Sequence, residues 1–287
     1  MSVYNPPMTD ELEEKRASLA ANLERLGPAL VALSGGVDSS LLLAMAVAHA
    51  GGPVEAVVAI TPLHPGAETA REAASHLGVR LHELEAPVLD DPAIRENPPD
   101  RCYLCKRAIF SRLQAFADER GLLPILEGSN ADDLRRFRPG RRALAELGIS
   151  SPLAEAGLTK GDVRALSAAM GLSAADRVSD TCSATRFPYG ARLTNEAIAR
   201  VRLAERAVAR EVGGAIRVRA CGDLARIEVE PSAIQILAEP PARERLRRAL
   251  REAGFLYVAL DLDGYRSGAM DESLTEAERR RAVNGPA

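Results

Sequence analysis

The sequence predicts an α/β protein, a parallel doubly wound sheet followed by a smaller α+β unit, on three observations. Strand-like stretches at Ala29–Leu33, Val54–Ile60, the weaker Arg80–Glu85 and Pro124–Leu126 alternate with helical patterns. The first run breaks at Ser34-Gly35-Gly36 and passes directly into an apolar helical stretch from Ser39 onward. Near residue 190 the order changes to helix, strand, strand, helix, strand, so the boundary is expected there. The chain then divides into 1–190, 191–270 and a polar tail, 271–287, expected to fray.

Composition narrows the class. With 46% hydrophobic and 27% charged residues, the 287-residue chain reads as soluble and globular, not disordered. Aromatics are 3% and Trp is absent, so the cores must be built from Ala, Leu, Val and Ile. A net charge of −3 gives no general drive toward nucleic acid or an anionic membrane. No apolar run approaches the ~20 residues of a membrane span. Met1 to Pro7 lacks a basic region followed by an apolar one, so no signal peptide is expected. Four cysteines in a chain this long are not a disulfide framework, and the cytoplasm is the expected compartment.

Taken in order, Thr9 to Leu26 places Leu12, Leu19, Leu23 and Leu26 on one helical face, with Asp10 and Glu13 suited to a capping box. Gly51-Gly52 ends the second helix, and Gly78 closes a third over Ala67–Leu77. A polar connection, Asp90 to Asp100, leads to Arg101-Cys102-Tyr103-Leu104-Cys105-Lys106 and a helix over 106–120. The strand Pro124–Leu126 is followed at once by Glu127-Gly128-Ser129-Asn130-Ala131-Asp132-Asp133. Thr159 to Met170 is a capped helix ending at Gly171. After a loop at 182–194 come a helix over 194–212, strands Ile216–Ala220 and Ala225–Val229, a helix over 231–253 and a strand Leu256–Leu260. The mixed charges of Arg243 to Glu252 read as a solvated helical face.

A strand, a glycine turn and a helix start put free backbone N–H groups and the positive helix end around one small space, where phosphate oxygens fit. Asp38 beside phosphates would be repelled unless a cation lies between, and Mg²⁺ bound by a carboxylate plus phosphates resolves this. Ser34-Gly35-Gly36-Val37-Asp38-Ser39 resembles the SGGxDS signature of the PP-loop ATP pyrophosphatases, which split ATP into AMP and pyrophosphate. In a parallel sheet this loop and Gly128–Asp133 share the carboxyl rim of the strands. Ser34, Gly35, Gly36, Asp38, Ser39, Ser40 and Gly128 are therefore the expected ATP-binding residues.

Cys102 and Cys105 form a CxxC at a helix start: a local disulfide, two unrelated thiols, half a metal site or a redox pair. Cys182 is either a small residue in a buried loop or a thiolate favoured by Arg177 and Arg186. Cys221 follows a strand and reads as structural. Arg217 and Arg219, two apart on a strand, point to one face, and a pair of guanidinium forks suits a phosphate or carboxylate as readily as it makes a solvated basic face. Asp132 and Asp133 either bind a second cation or cap the following helix.

Asn97 to Lys106, Glu127 to Asp133, Arg138-Pro139-Gly140, Ser151 to Glu155, Cys182 with Arg186 to Gly190, and Arg217-Val218-Arg219 with Gly222 to Glu228 resemble the LarE family, over about residues 9–262. These are ATP-dependent sulfur transferases of nickel-pincer cofactor synthesis. The resemblance implies adenylation of a carboxylate on a pyridinium mononucleotide, then sulfur insertion to give a thiocarboxylate. It implies catalytic roles for Cys182 and Asp38, Mg²⁺ at Asp38, and a substrate-phosphate site at Arg217 and Arg219 with Arg186 and Glu205 nearby. Family members use either a sacrificial cysteine, here Cys182, or a 4Fe-4S cluster on three cysteines, here Cys102, Cys105 and Cys182. The cluster is favoured, because sacrifice alone leaves the CxxC without a role, whereas Zn²⁺ would want a fourth ligand from Cys221 or a histidine. Thr181, Ser183 and Thr185 depart from the family pattern around the sulfur-bearing cysteine and put the acceptor's identity in question. The expected partner is a small-molecule nucleotide, with no nucleic acid, no membrane and a homo-oligomeric state. The rival readings are a tRNA-thiolating enzyme, an ammonia-using synthetase of the NAD or GMP type, and a nucleotide-binding regulator without turnover.

Overall fold

The computed structural model describes residues 9–64, 67–122, 124–173 and 182–285. In chain order it begins α1 (Asp10–Leu26), β1 (Ala29–Ala32), α2 (Val37–His49), β2 (Val54–Ile60), α3 (Ala67–His76) and β3 (Leu81–Glu85). It continues α4 (Pro92–Arg95), α5 (Arg101–Asp118), β4 (Ile125–Leu126), α6 (Gly140–Glu146), α7 (Pro152–Glu155) and α8 (Lys160–Ala169). The remainder is α9 (Asn195–Ala209), β5 (Ile216–Cys221), β6 (Leu224–Val229), α10 (Pro231–Ala238), α11 (Pro240–Glu252), β7 (Tyr257–Leu260) and α12 (Glu276–Asn284).

The first sheet runs β3-β2-β1-β4 with every pair parallel. One face carries the α1, α2, α3 and α8 core, including Leu19, Leu23, Leu41, Leu43 and Val163. The other carries α5 and α6 through Phe110, Leu113 and Leu144 against Leu30, Val57 and Ile125. Helices on both faces make the expected doubly wound architecture. The chain leaves β1 toward β2 on one side and reaches β4 on the other. The loops after β1 and β4 therefore flank the crevice where strand order reverses, which is where such sheets bind ligands.

The second sheet runs β5-β6-β7, antiparallel then parallel. Val218, Ala220, Ala225 and Ile227 face Ile198, Val201 and Ala204 of α9 and Leu246 and Leu250 of α11. The same core takes in Leu63, Val88 and Ile94 from the first part of the chain.

Four local expectations are corrected. The cap of α1 is Thr9, whose hydroxyl accepts from Leu12 N, in place of an Asp10–Glu13 box. The CxxC helix begins at Arg101, so both cysteines lie in its first two turns. The single helix expected over 231–253 is two, because Pro240-Pro241 withholds backbone donors and α11 restarts there. The polar segment after Asp271 forms α12, started by a Thr275–Glu278 capping box. Among the described residues no helix is long and apolar enough to cross a membrane.

Candidate active site

The nucleotide loop is shaped by two glycine positions. Gly35 has φ +77°, and a Cβ there would lie 2.2 Å from Thr69 Oγ1 and 2.7 Å from Ala70 N at the start of α3. Gly128 is the second: a Cβ would stand 2.9 Å from Ser39 N, so the β4 loop presses directly on the first turn of α2. Ser39 Oγ accepts from Ser34 N at 3.2 Å and donates to Gly36 O at 3.2 Å, folding the turn around the helix start. Ser34, Gly35, Gly36, Asp38, Ser39 and Gly128 thus share one cradle at the positive end of α2. Ser40 is placed differently: its buried hydroxyl has no hydrogen-bond partner and opens on a small cavity lined by Ala73, His76, Leu77 and Leu172.

Asp38 is already engaged. Asn130 Nδ2 donates to its Oδ1 at 2.9 Å, and Lys160 Nζ pairs with its Oδ2. Lys160, which the sequence reading missed, is the first residue of α8, held there by the Thr159–Asp162 capping box. The backbone N–H of Lys160 donates to Asp132 Oδ2 at 2.9 Å, and Asp133 accepts from Asn130 N and pairs with Arg138 at 2.7 Å. Both aspartates therefore act as caps and braces of this loop.

Glu127 was also missed. It is buried at the end of β4, accepting from Ser129 N at 3.0 Å, Ser129 Oγ at 2.9 Å and Lys106 Nζ at 3.3 Å. Burial pushes its carboxyl up, but Lys106 and the Ser151 and Ser129 bonds outweigh that and hold it below the usual range. Lys106 follows Cys105, so Glu127 links the nucleotide cradle to the cysteine helix.

Cys102, Cys105 and Cys182 are all free thiols and lie within one another's electrostatic reach. The Cys182 turn is pinned to the same rim by Ser183 N donating to Leu63 O at 2.8 Å. Cys102 is exposed to solvent. Burial raises all three thiols. At Cys182 the Ala184 N–H and the charges of Arg101, Arg186 and Arg202 oppose burial without overcoming it, which leans toward the first of the two alternatives, a buried small residue. Arg177 and Thr181 fall outside the described residues. Among the described residues no three His, Cys, Asp or Glu side chains are gathered as ligands of a single metal ion. Cys221 ends β5 as an exposed free thiol.

The arginines connect the Cys182 turn to the second sheet. Arg186 Nη1 donates to Cys182 O at 3.3 Å, while its Nε and Nη2 grip Glu205 at 2.8 and 3.2 Å. Glu205 in turn accepts from Val218 N at 3.0 Å. Arg219 pairs bidentately with Glu228 at 2.9 and 2.7 Å and donates from Nη1 to Thr185 O at 2.5 Å. Arg217 lies on the same face of β5, donating to Ile216 O at 2.6 Å and standing 5.1 Å from the Tyr265 ring. Arg217 and Arg219 do share a face, but Arg219 and Arg186 are not open forks: each is committed to a carboxylate.

A family model described as asparagine synthase matches residues 13–99, the part holding the nucleotide loop. The chain is 39% identical over 271 residues to the pyridinium-3,5-bisthiocarboxylic acid mononucleotide synthase of Lactiplantibacillus plantarum, covering 93% of this chain and 97% of that one. The chain belongs to the LarE family. An uncharacterised protein of Synechocystis is 38% identical over 92% of this chain and 100% of its own. An uncharacterised protein of Methanocaldococcus jannaschii is 29% identical over 83% and 90% respectively. In this LarE-family chain Lys106, one residue beyond Cys105, pairs with Glu127 beside Gly128, and Arg186 reaches the Cys182 carbonyl.

Proposed function

We propose that the chain is an ATP-dependent sulfurtransferase that converts a carboxylate of a pyridinium mononucleotide into a thiocarboxylate in nickel-pincer cofactor synthesis. The observation that carries this reading is that the CxxC helix, through Lys106 and Glu127, and the Cys182 turn, through Ser183 N and Leu63 O, both reach the rim of the nucleotide loop. A carboxylate oxygen attacks the α-phosphorus of ATP and pyrophosphate leaves, giving an acyl-adenylate. A sulfur nucleophile then adds to the acyl carbon, and AMP leaves with the bonding electron pair. Ser34, Gly35, Gly36 and Ser39 cradle the phosphates, and Asp38 would hold a Mg²⁺ that would offset their charge. For Asp38 to do so, Lys160 must leave its carboxylate, which frees an ammonium for the departing pyrophosphate. Arg186 and Glu205 hold the Cys182 turn in place, and Arg217 and Arg219 are the substrate-phosphate candidates.

Three thiols match a 4Fe-4S cluster with one iron left without a protein ligand, whereas a structural Zn²⁺ would want a fourth protein ligand. They lie within one another's electrostatic reach and none is in a disulfide. Cys102, Cys105 and Cys182 would hold the cluster, and its fourth iron, without a protein ligand, would supply a seat for exogenous sulfide. The same reading takes the protein as a cytoplasmic homo-oligomer acting on a small nucleotide, without nucleic acid.

The test is incubation with ATP, Mg²⁺ and the dicarboxylated pyridinium mononucleotide, assayed for AMP, pyrophosphate and a thiocarboxylate mass. Pyrophosphate release that ignores the mononucleotide overturns the proposal. Anaerobic reconstitution with iron and sulfide, with intact mass before and after turnover, separates cluster-borne sulfur from loss of the Cys182 sulfur.

A further inference from the structure

Arg101 is the first residue of α5, next to Cys102, and only 4% of it is exposed. Among the described residues its Nε and Nη1 have no hydrogen-bond partner, and Nη2 meets only Met270 Sδ at 3.4 Å. Its guanidinium stacks 4.7 Å above the Tyr189 ring, whose hydroxyl donates to Asp271 at 2.7 Å. Among the described residues no carboxylate forms an ion pair with it. That sets it apart from Arg186 and Arg219, whose guanidinium groups each hold a carboxylate. A guanidinium stays charged throughout the working pH range, and burying one with open N–H groups is costly unless an anion arrives. Arg101 opens α5 one residue before Cys102 and four before Cys105, so an anion that meets its guanidinium lies beside the CxxC end of the helix.

We propose that Arg101 binds the ring carboxylate of the substrate, and the thiocarboxylate that replaces it, at the thiol pocket. This rests on the reading above that the substrate is a pyridinium carboxylate mononucleotide. A planar carboxylate matches the guanidinium donors and leaves its acyl carbon near the thiols. The Tyr189 ring beneath supports the cation from its other face.

The test uses the full-length protein without ATP and two ligands of one shape, nicotinic acid mononucleotide and nicotinamide mononucleotide, titrated calorimetrically. They share ring, ribose and phosphate and differ only in carboxylate against neutral amide. Wild-type protein is expected to prefer the carboxylate about 10- to 100-fold, the worth of a hydrogen bond to a charged group. Arg101→Gln removes that preference while binding the amide within about twofold of wild type. Arg101→Lys keeps part of it, having charge without the fork. Ligand-free Arg101→Gln melts no lower than wild type, because the residue lost is an uncompensated buried charge. A carboxylate preference that survives in Arg101→Gln, or is missing from a wild-type protein that binds both ligands, overturns the assignment of Arg101 alone. Wild-type protein that binds neither mononucleotide overturns the substrate reading and this assignment with it.

Discussion

Replacing Gly35 with alanine tests the account of the nucleotide loop at its tightest point. The backbone there has φ +77°, a conformation that costs an L-residue about 1–2 kcal/mol. The new Cβ would also stand 2.2 Å from Thr69 Oγ1, 2.6 Å from Thr69 Cβ and 2.7 Å from Ala70 N. The hydroxyl can turn aside, but the Ala70 backbone cannot, and overpacking of this kind costs about 1–3 kcal/mol. Together these come to about 2–5 kcal/mol, a large part of a net stability of about 5–15 kcal/mol. At about 2–4 °C per kcal/mol for a chain of this size class, the melting temperature falls by about 4–20 °C. Gly36→Ala is the control: φ is −76° and its Cβ would meet only Ser34 Oγ at 3.4 Å, so its melting temperature stays within about 2 °C of wild type. Thr69→Ala does not rescue Gly35→Ala, because the Ala70 contact persists. Thermal scans by circular dichroism decide the matter. A Gly35→Ala protein that melts with Gly36→Ala refutes the claim that α3 seats on the loop.

Lys160→Met removes the ammonium from Asp38; the Mg²⁺ concentration at half-maximal pyrophosphate release falls while turnover drops about 10- to 100-fold. A rise in the Mg²⁺ requirement counts against the exchange of Lys160 for metal. Cys182→Ser retains substrate-dependent pyrophosphate release and loses the thiocarboxylate mass, because adenylation precedes sulfur transfer. Glu127 is held below its usual range, so its stabilisation is fully present above the unfolded value of about 4.3 and is lost as pH falls through its lower folded value. The melting difference between wild type and Glu127→Gln is therefore constant from neutrality to about pH 5 and shrinks below about pH 4.

The nucleotide cradle was legible because its parts lie close in sequence and each serves a single physical purpose. Gly35 supplies positive φ, Gly36 and Ser39 form the helix start, and Asp38 stands in the first turn of that helix. Gly128 could be placed on the same rim because parallel strands deliver their following loops to one edge. Lys160 was not legible, since a lysine opening a capped helix is ordinary until the fold carries it across 122 residues of chain to Asp38. Glu127 and Arg101 are of the same kind, buried charges whose meaning depends on what surrounds them. Arg217 and Arg219 were correctly set on one face of a strand. Their commitments depend on register, which sets Arg217 opposite Glu228 and Arg219 opposite Arg226, so the Arg219–Glu228 pair forms diagonally. The break at Pro240-Pro241 is written in the sequence, but the mixed-charge helical run around it masks the stop.

Arg219 carries the sharpest conflict between a structural and a substrate-binding role. Its Nε and Nη2 hold Glu228 and its Nη1 holds Thr185 O, in the turn that carries Cys182. Three of its five N–H groups are thus used, and two remain for a phosphate without breaking the pair. Arg219→Met leaves Glu228 buried with Arg226 as its remaining cation and is expected to cost about 3–5 kcal/mol, read by urea denaturation. The double variant Arg219→Met, Glu228→Leu removes both buried charges, and such apolar replacements restore most of the stability. Activity separates the roles. If Arg219 serves only its partner, the double variant recovers turnover along with stability. If it also positions the Cys182 turn and meets the phosphate, the restabilised double variant stays impaired, with a raised KM for the mononucleotide and an unchanged KM for ATP. A double variant with wild-type kinetics therefore removes Arg219 from the site and leaves the substrate phosphate to Arg217.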